Sequence, residues 1–271
     1  MSARSNRLDY AFLLVKEITR MDFKLRYHNS VLGYAWSVLK PLALFTILYI
    51  VFTKIFQVGN AIPHYPVYLL SGLVVWNFFL EASNGSVTAI IEKGDLLRKL
   101  NFPKYVILLA KTFSALINLL INCIIVTIFM IIFGTTMSWS ALWTPLLLIE
   151  LALFVFGVGL WMSAIYVRFR DLGYIWEVIL QGLFYATPIL YPLQFVVQHF
   201  SPIAAKIILL NPVAQVTQDL RVGLVTPKTL TYAQVYGSNW WRLIPISIVI
   251  LTLISGVFYF KNHSAEFAEH I

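Results

Sequence analysis

Apolar residues in this chain come in blocks rather than in alternation. Six blocks, at about 32–56, 67–91, 105–133, 142–167, 174–191 and 241–260, are separated by short polar segments. A helix of about 20 residues crosses the roughly 30 Å hydrocarbon core of a bilayer. The blocks therefore predict six transmembrane helices. Lys40 lies near the inner end of the first, where its stem can snorkel, and Pro41 invites a kink. Upstream, Leu8, Ala11, Phe12, Val15, Ile18 and Leu25 recur at helical spacing, with Lys16, Glu17, Arg20 and Lys24 on other faces. That pattern predicts an amphipathic helix within 1–30, lying in the membrane interface, and the same face suits packing on protein. Between the fifth and sixth blocks the pattern breaks. Residues 203–210 and 212–224 are apolar but too short to span, and Asn211-Pro212 has the form of an N-cap followed by proline at the first helical position. Two re-entrant helices in 193–224 are expected, with a flat helical cap as the alternative; re-entrant backbone needs protein or a water-filled cavity around it. The predicted fold is thus an all-α membrane protein, with an N-terminal interfacial helix (1–30) and a single transmembrane domain (31–271).

Composition narrows the classes. Of 271 residues, 59% are hydrophobic and 12% charged, about half the charge of a soluble domain. The net charge of +8 would suggest nucleic acid in a soluble protein. Here it follows from basic residues flanking spans, so no nucleic-acid partner is expected. With the N-terminus inside, fifteen Lys and Arg fall on the inner side and five (Lys54, Lys206, Arg221, Lys228, Arg242) on the outer. The positive-inside rule then places both termini in the cytoplasm, and Tyr65, Tyr68, Trp139, Trp143, Tyr191, Trp240 and Trp241 form an outer aromatic belt. The first twenty residues lack the apolar core of a signal peptide. Cys123, the single cysteine, sits in an apolar run and reads as a small hydrophobe.

Candidate chemistry is sparse. There is no G-x-x-x-x-G-K-[ST] loop to hold nucleotide phosphates, no H-E-x-x-H, no C-x-x-C, and the five histidines are scattered. No metal and no cofactor are expected in this chain, and no catalytic residue is assigned. Asp171 and Asp219, each beside an arginine, are expected in surface ion pairs. Glu81 is the main intramembrane carboxylate, costly unless it faces a partner or a watery path, or lies hydrated near the membrane edge. Glu92, Lys93, Asp95, Leu96, Leu97, Arg98 and Lys99 form a short charged island in the loop 92–104, tied to two spans. It is the natural place for a cytoplasmic partner to push.

Several strings resemble those of the permease subunits of bacterial polysaccharide exporters of the type-2 ABC class. MDFKLRYHNSVLGYAWSVLKPL (from Met21) carries Lys24, Arg26, Tyr27, Ser30, Leu32, Gly33 and Trp36 of the family opening, with Arg20 and Asp22 separated by Met21. SGLVVWNFF (from Ser71), LLRKLNFPKYVILLA (from Leu96, with Leu108 in place of a proline), RFRDL (from Arg168), TPILYP (from Thr187) and NPVAQVTQDLRVGL (from Asn211) follow in order. The resemblance implies six spans, an interfacial helix, a coupling helix at the 92–99 island and two gate helices before the last span. It implies a homodimeric channel in the bacterial inner or plasma membrane, docked to a separate ATPase dimer that binds ATP and Mg. The cargo would be a lipid-linked glycan of the O-antigen type or a teichoic acid. Asp22, Lys24, Arg26 and Tyr27 would belong to the interfacial helix, and Asn211, Pro212, Asp219 and Arg221 to the gate. Tyr65, Tyr68, Trp76, Phe78, Glu81, Tyr185 and Tyr191 are candidates for the cargo path, where aromatic faces suit sugar rings. The rivals are an exporter of small lipids or drugs, a membrane enzyme acting on polyprenyl phosphate, and a proton-coupled transporter.

Overall fold

The computed structural model describes residues 2–26, 31–57, 59, 62–99, 102–265 and 267, with backbone only for 2–9 and Arg26. Among them every regular element is helical. α1 (Ser2–Arg26) is followed by α2 (Trp36–Ile50), which a 3₁₀ turn precedes and a π turn (Val51–Ile55) extends. α3 (Tyr65–Glu92) and α5 (Tyr105–Ile132) are 28 residues each, with the short α4 (Gly94–Lys99) between them. α6 (Thr144–Arg168), α7 (Leu172–Ala186), α8 (Leu193–His199), α9 (Pro202–Leu209), α10 (Pro212–Leu224), α11 (Tyr232–Tyr236) and α12 (Leu243–His263) complete the chain.

Five helices are long and apolar enough to cross a membrane: Gly33–Ile55, Tyr65–Glu92, Tyr105–Ile132, Trp139–Arg168 and Asn239–His263. The expected fifth span, 174–191, is shorter in the structure. α7 has 15 residues and stops at Ala186. The cause is local: Pro188 forces its predecessor out of the helical region, and Thr187 sits at φ −82°, ψ 134°. The region 193–224 holds three short helices rather than two, and α11 follows where no helix was expected.

α3 is the axis. Its window is 83% buried, against 6% for the first spanning helix, and it packs on α2, α5, α6, α7 and α10. Between apolar helices in lipid the drive is close packing rather than escape from water, so small residues mark the contacts. A Cβ on Gly157 of α6 would lie 2.9 Å from the Leu253 backbone of α12, and one on Gly256 would lie 2.7 Å from the Gly157 carbonyl oxygen. α1 lies against α5, burying Ala11 and Ile18 beside Ala89, Val106 and Ala110. Phe12, Leu13 and Leu25 stay exposed. Its apolar residues are thus split between a protein-facing side and an open one.

Candidate functional site

The charged island is where α1, α3 and α5 meet. α4 has Asp95 in its first turn and Arg98 and Lys99 in its last, the polarity a helix dipole favours. Leu96 and Leu97 are half-buried against the cluster formed by Ala89, Ile90 and Val106, while Asp95, Arg98 and Lys99 are exposed. The apolar pair therefore fixes the helix and leaves its charges outward. At its root, Lys93 Nζ donates to Asp22 Oδ1 of α1 at 2.8 Å, and Lys111 Nζ of α5 lies 3.4 Å from Asp22 Oδ2 and 3.3 Å from Glu92 Oε2. Asp22 Oδ2 has only that ionic contact and no hydrogen bond. Thr88 donates to Glu92 at 2.6 Å, and Thr19 of α1 donates to the Ala110 carbonyl at 3.3 Å. One carboxylate of α1 is thereby bonded to the corner from which α4 springs. Lys24 is exposed, and Tyr27 and the Arg26 side chain lie outside the described residues. On the other flank of the island, Lys104 donates to the Ser264 carbonyl beside the Phe267 ring, and partial burial holds its ammonium below the usual lysine pKa.

The aromatic path candidates are not gathered on one lining. Tyr65 and Tyr68 are buried near the start of α3, where their hydroxyls donate to the Leu190 and Tyr191 carbonyls at 3.1 and 3.2 Å. Tyr191 donates to the Tyr185 carbonyl at 2.8 Å. These tyrosines stitch α3 to the broken segment after α7. Trp76 is buried between α3 and α7, its ring 5.6 Å from Phe184. Tyr185 is exposed. Phe78 and Glu81 line a cavity between α2, α3 and α5, where Asn118 Nδ2 donates to both Glu81 oxygens at 2.9 and 3.0 Å.

The expected gate residues run along α10, from its cap at Asn211 to Arg221 in its last turn. The Asn211 side chain caps the helix by accepting from Val213 N at 3.0 Å, and Pro212 occupies its first turn. Asp219 is not a surface residue. It is buried, accepting from Arg242 Nη2 and Gln215 Nε2, each at 2.8 Å. The reason is that α10 is enclosed on every side from Pro212 to Arg221, and residues two apart on a helix point to nearly opposite sides, so Asp219 and Arg221 meet different neighbours. Arg221 was expected among the outer basic residues and is instead wholly buried at 0% exposure. Its guanidinium donates to the carbonyls of Tyr68 (3.0 Å), Ile189 (2.8 Å) and Pro188 and stacks 3.5 Å above the Tyr68 ring. Burying a cation is costly unless every donor is met. Here the break at 187–189 supplies free carbonyls, so the interruption of α7 and the arginine of α10 complete one another.

Residues that were not among the candidate site positions also matter. Arg242, Gln215, Asn118 and Asn122 all bond within these clusters. Asn118 and Asn122 carried a signal: two amides one turn apart inside a strongly apolar run.

The family profile described as ABC-2 type transporter matches residues 14–225. The chain is 33% identical over 263 residues to the O-antigen export system permease protein RfbA of Klebsiella pneumoniae, covering 97% of this chain and 96% of the relative. It is 27% identical over 269 residues to the O-antigen export system permease protein RfbA of Myxococcus xanthus, with 97% and 96% covered. The polysialic acid transport protein KpsM of Escherichia coli is 26% identical over 218 residues, 78% of this chain and 81% of that protein. With a profile match across most of its length and near-complete alignment to these permeases, the chain belongs to the ABC-2 type transporter family, as a multi-pass permease of the polysaccharide-export kind.

Proposed function

We propose that this chain is the channel-forming subunit of an ATP-driven exporter that moves a lipid-linked polysaccharide outward across the bacterial inner membrane. Two copies flank the path and a separate ATPase dimer, holding ATP and Mg, docks on α4. Polymers of the O-antigen, capsule or teichoic acid type are the cargo class. In this arrangement α2, α3, α5, α6, α7 and α12 make six crossings, α7 with help from residues 187–192. α9 and α10 form the re-entrant pair, both termini face the cytoplasm and α1 rests in the interface. The exposure of nearly the whole first span supports a lipid and second-copy boundary there, and the exposed Phe12, Leu13 and Leu25 support membrane contact by α1.

The observation that carries the proposal is the corner of Asp22, Lys93, Lys111 and Glu92. A helix too short to be a domain presents Asp95, Arg98 and Lys99 outward, and its root is bonded to both the interfacial helix and a span. Force on α4 would move α1 and α3 together. The test is co-purification with the cognate ATPase subunit, with Glu92→Ala and Arg98→Ala as variants. A stable complex is expected, with Arg98→Ala weakening assembly about tenfold, as for loss of one rim or half-buried charge contact. Failure to form any complex, or variants with unchanged assembly and ATPase rate, would refute the coupling role.

A further inference from the structure

Polar side chains of α3 line two cavities that share part of their walls. The first, of about 590 Å³ between α2, α3 and α5, is walled in part by Trp36, Lys40, Asn77, Glu81, Asn84 and Asn118. The second, of about 570 Å³ between α3, α6 and α7, is walled by Thr88, Tyr166, Arg170, Asp171, Tyr174 and Glu177 among others. Asn84 and Gly85 belong to both walls.

Three features indicate a built site. Asn118 is buried and rigidly held: its amide nitrogen serves Glu81, and its backbone carbonyl accepts from Asn122 at 2.8 Å. Its Oδ1 is sealed from the cavity, so what Asn118 contributes to the wall is position: its amide fixes the Glu81 carboxylate that faces the space. Second, a Cβ added at Gly85 would meet nothing closer than Lys111 Cδ at 3.9 Å. Packing therefore does not demand glycine there, and glycine inside a helix costs about 1 kcal/mol against alanine. What its missing side chain leaves is room, at the junction of the two cavities. Third, acidic groups outnumber basic ones: Lys40 and Arg170 stand against Glu81, Asp171 and Glu177. A polyanion would find no basic excess.

We infer that the two cavities are consecutive subsites for an uncharged, hydroxyl-rich glycan chain, with Gly85 as the neck between them. Sugar hydroxyls donate to Glu81 and accept from the amides of Asn77 and Asn84. The exposed Trp36 and Tyr174 rings offer flat apolar faces to the C–H side of a pyranose. The inference rests on the exporter reading and deepens it, because it selects neutral glycan over polyol-phosphate cargo.

The test uses the permease–ATPase complex in lipid nanodiscs. Maltoheptaose and a polyglycerol-phosphate oligomer are titrated in turn, and the Trp36 signal is isolated by subtracting a Trp36→Phe complex. Maltoheptaose is expected to change that signal and the phosphate oligomer to leave it unchanged, with affinity for maltoheptaose falling about tenfold in Glu81→Gln, as for a lost charge-assisted hydrogen bond. In cells, Gly85→Ala, Gly85→Val and Gly85→Leu should reduce surface polymer in a graded series while complex yield and melting temperature hold. Stronger binding of the phosphate oligomer would overturn the inference. So would export indifferent to bulk at Gly85, or a complex that hydrolyses ATP and binds neither probe. Absence of any complex is a different result, since it removes the exporter reading itself.

Discussion

Replacing Asp22 by asparagine tests the α1–α4 corner most directly. The carboxylate is 7% exposed, with Lys93 at 2.8 Å and Lys111 at 3.4 Å, themselves 14% and 17% exposed. Exposed ion pairs contribute about 0–1 kcal/mol, and removing one partner of a fully buried pair costs about 3–5 kcal/mol. Burial here approaches the second limit, but water reaches both ammonium groups and an amide keeps the shape and one acceptor. A loss of about 2 kcal/mol is therefore expected, which is about 30-fold in the docking equilibrium of α1. Still holding that helix are the burial of Ala11 and Ile18, the packing of Leu14 and Val15, the Phe23–Tyr34 stack and the Thr19 hydrogen bond. Hydrogen exchange of the 10–26 amides in the nanodisc-held complex should accelerate by that factor, while α12 amides stay unchanged.

A double-mutant cycle with Lys93→Met then isolates the pair, and a coupling energy of about 1.5 kcal/mol is expected. Added salt should loosen α1 in the wild type more than in Asp22→Asn, because screening acts on an attraction the variant no longer has. Exchange within about twofold of wild type, or a coupling energy below about 0.5 kcal/mol, would refute the latch. Lys111→Met serves as an internal scale. It spares the shorter Asp22–Lys93 contact, and the Glu92 carboxylate that it leaves without an ammonium is half-exposed, so its effect should be under half as large.

Other positions make independent predictions. Arg221→Met leaves the Pro188 and Ile189 carbonyls without their donor, at about 1–3 kcal/mol each, while the Tyr68 carbonyl keeps the Ser71 hydroxyl. The melting temperature of the detergent-solubilised protein should fall steeply, and a loss under about 1 kcal/mol would contradict the carbonyl cage. Gly72→Ala should act on the same cage, since its Cβ would lie 2.3 Å from Arg221 Nη2, a clash of a kind that costs about 1–3 kcal/mol. Gly157→Val should separate α6 from α12 at the Leu253 backbone, with a similar loss read by thermal unfolding. Arg242→Met strands the buried Asp219 with Gln215 as its remaining hydrogen-bond donor. It should destabilise by more than Arg98→Ala, whose side chain is exposed.

The spanning helices were legible because a bilayer imposes length and apolarity together, and no soluble core imposes both. Hence α3, α5 and α6 begin and end within two residues of the blocks that predict them. The end of α7 at Ala186 was legible in principle from Thr187-Pro188, but hydropathy ran through the proline and carried the expected span to 191. Burial of Tyr65, Tyr68 and Trp76 was not legible. Apolar blocks say that a residue is in the membrane, not whether it meets lipid, cargo or another helix. Asp219 and Arg221 were misplaced for a related reason. Their neighbours in sequence suggested pairing with each other, whereas their partners, Arg242 and the 188–189 carbonyls, are supplied by distant segments.

These two polar assemblies differ in a way that bears on movement. At the α10 end, Arg221 is met by backbone carbonyls, which neither titrate nor rotate away, and it is sealed from water. Breaking that cage strands a cation and the Pro188 and Ile189 carbonyls at once, so α10, the 187–189 segment and the start of α3 should move as one body or not at all. At the inner end, Asp22 shares two lysines that water reaches, and Lys111 can lean toward Glu92 instead. Exchange among those partners costs little, because each charge keeps a counter-charge throughout. The physical asymmetry favours motion that starts at the α1–α4 corner and reaches the outer gate as a rigid displacement of α3. Locking the corner, by a disulfide between cysteines replacing Asp22 and Lys93, should therefore stop export while leaving the Arg221 cage and ATP binding by the partner intact. Undiminished export by the oxidised variant would show that the corner does not move.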